Sequence, residues 1–354
     1  MGTTRNPTFS TRLIAWHQQH GRHDLPWQRT RDPYRIWLSE IMLQQTQVTT
    51  VIPYYRRFLA RFPTLPDLAI AAVEEVMGLW SGLGYYARAR NLHRCAQVVM
   101  ARHGGEFPHD PEAIAELPGI GRSTANAIAV FCFGARRAIL DGNVKRVLCR
   151  ALAVEGYPGA PAVERELWRL AEALLPRRDA ATYIQAQMDL GATLCTRTRP
   201  ACLSAASTCP LSGICVAHQQ GRVSQLPEAM PRKTLPRREA RVLVLHRGDS
   251  VLLERRPPSG IWGGLLSLPE VAANVDPAAQ AAQLGCDVTH FDALPPLRHT
   301  FTHFRLTLLP LSGEVSLLPR AAEAMGHSWL QRGDIAAAGL PTPVRKILQA
   351  FFKS

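Results

Sequence analysis

The sequence predicts a multidomain chain with an all-α half over residues 1–217, a linker over 218–240 and an α+β half over 241–354. Three observations predict it. Apolar residues recur at helical spacing, as in Phe9, Leu13, Ile14 and Trp16, down to about Leu194. Four of the eight cysteines then fall in one short loop, at Cys195, Cys202, Cys209 and Cys215. Beyond a polar, basic stretch punctuated by Pro227, Pro231 and Pro236, the spacing changes from helical to alternating.

At 354 residues and 46% hydrophobic content, each half can bury a core. Lysine and arginine number 41 against 28 acids, a net charge of +13 that favours a polyanionic partner. With no run of eighteen apolar residues, no membrane span is expected. Arg5 and Arg12 stand near the start without an apolar core and cleavage site behind them, so no secretory signal is expected either. The other four cysteines, Cys95, Cys132, Cys149 and Cys286, are scattered singly. One tight cluster among scattered thiols points to metal rather than disulfides, and to a reducing compartment.

Taken in order, a helix from residue 8 ends at Gly21 and a loop runs through Pro26-Trp27. The next helix, from about Tyr34 to Thr50, holds Glu40. Its neighbours three and four positions away are Ile36, Trp37, Leu43 and Gln44, and a carboxyl set in that mostly apolar face is expected to have a raised pKa. Gln44, Gln45 and Thr46 are expected on the same helix end, and a further helix with Tyr54, Tyr55 and Phe58 follows Pro53. Gly82-Leu83-Gly84-Tyr85-Tyr86 makes a glycine hairpin that feeds a helix bearing Arg88, Arg90, Asn91 and Arg94. Basic side chains beside an aromatic pair suit phosphate contacts flanking a stacked base.

Pro118-Gly119-Ile120-Gly121 makes another hairpin, and a helix opens at Arg122-Ser123-Thr124 with its amides and dipole toward an anion. Asp141 precedes the helical set Val144, Val147, Leu148, Ala151 and Leu152, as an N-cap does. There the dipole and the amides are expected to hold its carboxyl low and anionic. Helices continue over Glu164–Leu175 and Tyr183–Leu194. The cysteines that follow are spaced C-x6-C-x6-C-x5-C, a donor set that either a [4Fe-4S] cluster or zinc accepts. In the last part, Arg241–Arg247, the turn Gly248-Asp249 and a second strand from Ser250 form a hairpin. Strands near Leu265–Leu268, Thr302–Pro310 and Ser328–Leu330 and a helix over Pro343–Phe352 complete it.

LPGIGRSTA followed by LDGNVKR resembles the helix-hairpin-helix, about 117–125, and the catalytic Asp of the endonuclease III superfamily of DNA base-excision glycosylases. WLSEIMLQQTQVTTVIPYY and GLGYYARARNL resemble its adenine DNA glycosylase branch, over nearly the whole chain. The resemblance implies Glu40 as general acid, Asp141 as the partner carboxylate and Asn143 as the residue that orients Asp141 or the sugar. It implies Gln45 as a wedge in the base stack and Tyr85 intercalated next to the lesion with Leu83 near it, while Thr46 and Arg88 would contact DNA. Gly119, Gly121, Arg122, Ser123 and Lys145 would contact DNA. The strand-cutting branch carries a lysine nucleophile where this chain has Ser123, and serine forms no Schiff base, so a monofunctional enzyme is implied.

The family holds a [4Fe-4S] cluster in the 195–215 loop, with two residues between the second and third ligands where this chain has six, Leu203 to Thr208. Zinc therefore stays the alternative cofactor. Residues 241–354 resemble a Nudix-like domain without the glutamate-rich helix that holds Mg²⁺ after Gly264, which argues against pyrophosphate hydrolysis. Arg298–His303 resembles the loop that reads 8-oxoguanine, with Phe301, Thr302 and His303 as its readers and threonine where the family usually has serine. The expected function is excision of adenine opposite 8-oxoguanine or guanine in double-stranded DNA, by a monomer acting in the bacterial cytoplasm at the nucleoid. The alternatives are a bifunctional glycosylase/lyase, a non-enzymatic lesion-binding protein and a Nudix hydrolase with a DNA-binding arm.

Overall fold

A computed structural model of the chain describes residues 7–204, 208–231, 234–257, 260–316, 327–336 and 338–353. Arg5, Arg232, Lys233 and residues 205–207 of the long inter-cysteine spacer lie outside the described residues. The chain divides into two compact units, residues 1–69 with 94–232, and residues 70–93 with 233–354.

The first unit is helical. Pro7–His20 is the opening helix, and Pro26–Arg29 makes one 3-10 turn. The single helix expected over 34–50 is two: Pro33–Leu43, capped by the Asp32 carboxylate on the Tyr34 amide at 2.9 Å, and Val48–Arg61. The break falls at Gln45, whose φ of 58° lies in the left-handed region and ends the helical path. Pro53, expected before the next helix, lies inside it. Helices Arg122–Phe133, Gly142–Ala151, Pro161–Ala173 and Ala180–Thr193 share one core. Ile128 lies on the first of these, while Val144, Leu148, Leu167, Ile184 and Leu190 of the others pack with Leu211, Val223 and Leu226. The start of the expected linker is thus core, because Val223 and Leu226 are apolar enough to be buried. At its other end, Arg237–Ala240 already belong to a strand.

The second unit has an eight-stranded sheet among the described residues: β1 Arg237–Arg247, β2 Ser250–Arg255, β3 Leu266–Ser267, β4 Glu270–Val271, β5 Asp292–Ala293, β6 Leu297–Thr300, β7 Arg305–Glu314 and β8 His327–Gln331. The hairpin β1–β2 turns at Gly248-Asp249 as expected, with Arg247 opposite Ser250. β1 also runs parallel to β7, Arg237 opposite Arg305 through His246 opposite Glu314. Val242 and Val244 enter one core with Phe304, Val344 and Leu348, while Leu243 and Leu245 enter a second with Ala281 and Val288. Both faces of β1 are therefore buried, which is why Val242–Leu245 are apolar at every position instead of alternating as expected. Helix Thr342–Phe351 covers the first face and helix Pro277–Gln283 the second. That second helix, PAAQAAQ, holds no acidic residue.

Candidate active site

Glu40 sits on the helix Pro33–Leu43, most of whose residues are buried. Its carboxyl reaches a cavity of about 1320 Å³ in the first unit, lined also by Ile36, Leu43, Asp141 and Asn143. Burial, with the charge of Asp141 added, pushes the Glu40 carboxyl from the ordinary carboxylate range up to about 7. The raised pKa expected of Glu40 from its apolar neighbours is what the fold gives it.

Asp141 caps the helix Gly142–Ala151, accepting the Val144 amide at 2.7 Å and the Asn143 side-chain amide at 3.2 Å. The expected low pKa does not follow. Burial outweighs these hydrogen bonds and the nearby Arg146 and pushes the carboxyl above its usual range. The two acids are nevertheless unequal. Hydrogen bonds and a cation favour the charged form of Asp141, whereas the shift of Glu40 is all toward the proton.

Arg146, which sequence reasoning passed over, holds this corner together. Its guanidinium donates to Asn143 Oδ1 at 2.8 Å, to Gly191 O at 2.7 Å and to Cys195 O at 2.7 Å. Gly191 lets the two helices approach, since a Cβ there would lie 2.5 Å from that of Asn143. Nothing in the sequence spacing joins Arg146 to residues forty-five positions away. Also missed was the fully buried Asp189 beside the same cavity. It accepts the Arg22 amide at 2.8 Å, Arg22 Nε at 2.8 Å and Gln185 at 2.9 Å, with His17 Nε2 3.3 Å away. Burial raises its pKa, but the hydrogen bonds from His17 and Arg22 outweigh it and hold the carboxyl below its usual range.

Of the two glycines in the hairpin before Arg122, Gly119 alone takes positive φ, 78°; Gly121 is extended and stands as the N-cap with no side-chain cap. The amides of Arg122–Thr124 thus open the helix without a competing side chain. Arg122 is ion-paired with Glu172 and lies 3.9 Å from the Trp168 ring centre. The Ser123 hydroxyl accepts the Leu140 amide at 3.0 Å, one residue before Asp141. Lys145 is ion-paired with Glu164 at 2.7 Å. Gln45 and Thr46 line the cavity from the turn between helices, not from a helix end.

In the second unit, Gly82, Gly84 and Tyr85 all have positive φ, 101°, 72° and 48°. The hairpin exposes Tyr85 at 49% and buries Leu83 and Tyr86. Arg88 folds back onto the Leu83 and Gly84 carbonyls, both at 3.3 Å, and burial lowers its pKa to about 10. Phe301–Phe304 is the turn between β6 and β7, closed by Phe301 N on Phe304 O at 2.9 Å; the strand expected from Thr302 starts at Arg305. Thr302 and His303 stand exposed there, Oγ1 to Nδ1 3.4 Å, while Phe301 stacks on Phe304 and leans on His299 and Trp262.

Among the described residues, no group of three or more histidine, cysteine, aspartate or glutamate side chains is arranged to hold a metal ion. The four clustered cysteines are all free thiols; burial pushes the Cys209 thiol up to about 11, and Cys195, Cys202 and Cys215 add to this through charge, so all three lie within electrostatic reach of Cys209. Arg150, 2% exposed, donates to Cys195 Sγ at 3.3 Å and to Thr196 O at 2.7 Å. The donor types suit a four-thiolate group, with a buried guanidinium turned onto one sulfur, but the four are not gathered around a metal position.

A helix-hairpin-helix beside a cavity that pairs two buried carboxyls defines a DNA glycosylase of base excision repair. Residues 38–173 match the HhH-GPD superfamily base excision DNA repair protein model, and residues 241–350 match a NUDIX domain. The chain is 33% identical to the adenine DNA glycosylase of Buchnera aphidicola subsp. Acyrthosiphon pisum over 98% of both chains. It is 35% identical to that of Homo sapiens over 97% of this chain and 74% of the human one. A thermostable thymine-DNA glycosylase structure shares 29% identity and a TM-score of 0.53 over 62% of this chain and all of its own. An endonuclease III–DNA complex, 20% identical with a TM-score of 0.53 over 62% of this chain and 98% of its own, shares the fold. The chain belongs to the adenine DNA glycosylase family, and is a DNA N-glycosylase of base excision repair. No helix among the described residues is long and apolar enough to cross a membrane.

Proposed function

We propose that the chain hydrolyses the N-glycosidic bond of adenine mispaired with 8-oxoguanine, and less selectively with guanine, in double-stranded DNA. The observation that carries this is the shared cavity of Glu40 and Asp141, in which burial and the charge of Asp141 give Glu40 a proton near neutral pH. The flipped adenine enters the cavity, at an unstacking cost that is lower for a mispair. Glu40 gives its proton to adenine N7, the C1′–N9 bond breaks with its electron pair going to the base, and an oxocarbenium-like sugar forms. Asp141, oriented by Asn143, stabilises that cation; water then adds at C1′ and returns a proton to Glu40.

DNA is gripped by the amides at Gly119–Ser123, with Arg122, Thr46, Arg88 and Lys145 at the backbone and Gln45, Leu83 and Tyr85 at the base stack. The exposure of Tyr85 and of Gln45's turn supports those two roles. Phe301, Thr302 and His303 read the opposing 8-oxoguanine, a reading supported by the exposed hydroxyl and ring at the tip of the β6–β7 turn.

In a duplex series with adenine opposite 8-oxoguanine, guanine, cytosine or thymine, free adenine is expected from the first two, in that order. The product strand should break only on alkali or heat, since Ser123 supplies no Schiff-base amine and Lys145 is held by Glu164. Release from none of the duplexes would refute the proposal, and a spontaneously cut strand would refute its hydrolytic part.

Cys195, Cys202, Cys209 and Cys215 would hold a [4Fe-4S] cluster, which when bound supplies a rigid, charged staple for the basic loop of Arg197 and Arg199. Supporting it are the four-thiol donor set and the Arg150 bond to Cys195. Chain purified without oxygen should carry iron and acid-labile sulfide in equal amounts; zinc without sulfide would overturn the assignment. We place the enzyme on DNA in a reducing cytoplasm, as a monomer.

A further inference from the structure

Residues 70–93 interrupt the helical half in sequence but pack with the C-terminal half. This segment carries the glycine hairpin and Tyr85, and polar contacts made by three side chains, Tyr86, Arg345 and Arg90, bind it to residues 263–345. The Tyr86 hydroxyl accepts the Gly82 amide at 3.4 Å and donates to Leu340 O at 3.3 Å, so one atom ties the hairpin to the loop before the last helix. Arg345, on helix Thr342–Phe351, donates from Nη2 to Ser81 Oγ at 2.6 Å and to Ala338 O at 2.8 Å, while Nη1 holds Ile335 O at 3.0 Å. Arg90 donates to Gly263 O at 2.5 Å, next to Trp262, whose ring leans on Phe301 at 5.7 Å between centres.

A hairpin with three of its four residues 82–85 at positive φ, Gly82, Gly84 and Tyr85, has little regular secondary structure of its own to hold it. The geometry points to Tyr86, Arg345 and Arg90 as positioning residues: the C-terminal half presets the hairpin so that Tyr85 is presented in one orientation, in register with the Phe301–His303 turn. The C-terminal half then contributes twice to mispair binding, once through its own turn and once by holding Tyr85. The inference rests on the reading of Tyr85 as a residue inserted at the base stack. A tyrosine hydroxyl, two guanidiniums and four backbone carbonyls form the clamp, so single conservative substitutions open it without touching either candidate catalytic acid.

The test uses the full chain and a duplex carrying non-cleavable 2′-fluoro-adenosine opposite 8-oxoguanine, with dissociation constants measured for Tyr85→Ala, Tyr86→Phe, Arg345→Met and each clamp variant combined with Tyr85→Ala. Tyr86→Phe and Arg345→Met are each expected to weaken binding about tenfold. Because they act through Tyr85, each double variant should bind within about twofold of Tyr85→Ala alone. A merely structural role would instead weaken the double variants by the product of the single effects, and that result overturns the inference, as do clamp variants that bind like the parent. If Tyr85→Ala itself binds like the parent, the reading of Tyr85 falls first, and the inference with it. Should Arg345→Met not fold, Tyr86→Phe, which removes a single oxygen, decides between the same outcomes.

Discussion

Asp141→Asn is expected to bind an adenine mispair as tightly as the parent chain and to lose at least about a thousandfold in single-turnover excision. The substitution keeps the shape of the side chain and leaves an oxygen to accept the Val144 amide, so the cap on helix Gly142–Ala151 survives at little cost. What it removes is the negative charge facing the cavity. An oxocarbenium-like sugar gains from a carboxylate held beside it in a site with little water, and an amide dipole replaces only a small part of that. Asn143 and Arg146, which now support an anion, would face a neutral group. Gel-shift affinity and rapid-quench excision on the same duplex check both halves of the expectation. Excision within tenfold of the parent would remove Asp141 from the chemistry.

Glu40→Gln is expected to abolish excision and, above neutral pH, to make the chain more stable. Excision by the parent should fall about tenfold for each pH unit above about 7, where Glu40 loses the proton it must donate. On the acid side the rate should fall as Asp141 takes up a proton, a limb that burial moves above the usual carboxylate range. Stability moves in the same pH window with a definite sign. Folded Glu40 keeps its proton up to about pH 7 while an unfolded one releases it near 4.5, so between those values the folded chain binds more protons and stability is lost as pH rises. Above pH 7 the cost is fully present, on the order of 3 kcal/mol for that shift, and glutamine, which carries no charge, avoids it. Thermal melts of parent and Glu40→Gln near pH 8 and near pH 4 test this. The variant should melt higher at the first and alike at the second, and an equal difference at both would place the origin of the effect elsewhere.

A buried carboxyl of this kind, costly to the fold when charged, is what the proposed proton donation demands. Arg150 is likewise buried and charged, but it satisfies its donors with the Leu226, Thr196 and Arg197 carbonyls and the Cys195 sulfur. Glu40 is set instead among the apolar side chains of its own helix and the cavity wall, and its acidity is the consequence.

Much of this was legible in the chain itself. Period and turn chemistry located the helical half, the hairpin at Gly119, the cap at Asp141 and the β1–β2 turn, because each depends on neighbours within a few positions. The apolar neighbours of Glu40 announced a raised pKa for the same reason. Tertiary structure alone decided the rest. It split the helix at Gln45, reversed the expected acidity of Asp141 by burying it, and tied Arg146 to Gly191 and Cys195. It also assigned residues 70–93 to the C-terminal unit. Burial and contacts between residues far apart along the chain are properties of packing, which local spacing does not encode. A carboxyl at a helix N-terminus is low or high in pKa according to how much water the rest of the fold leaves it.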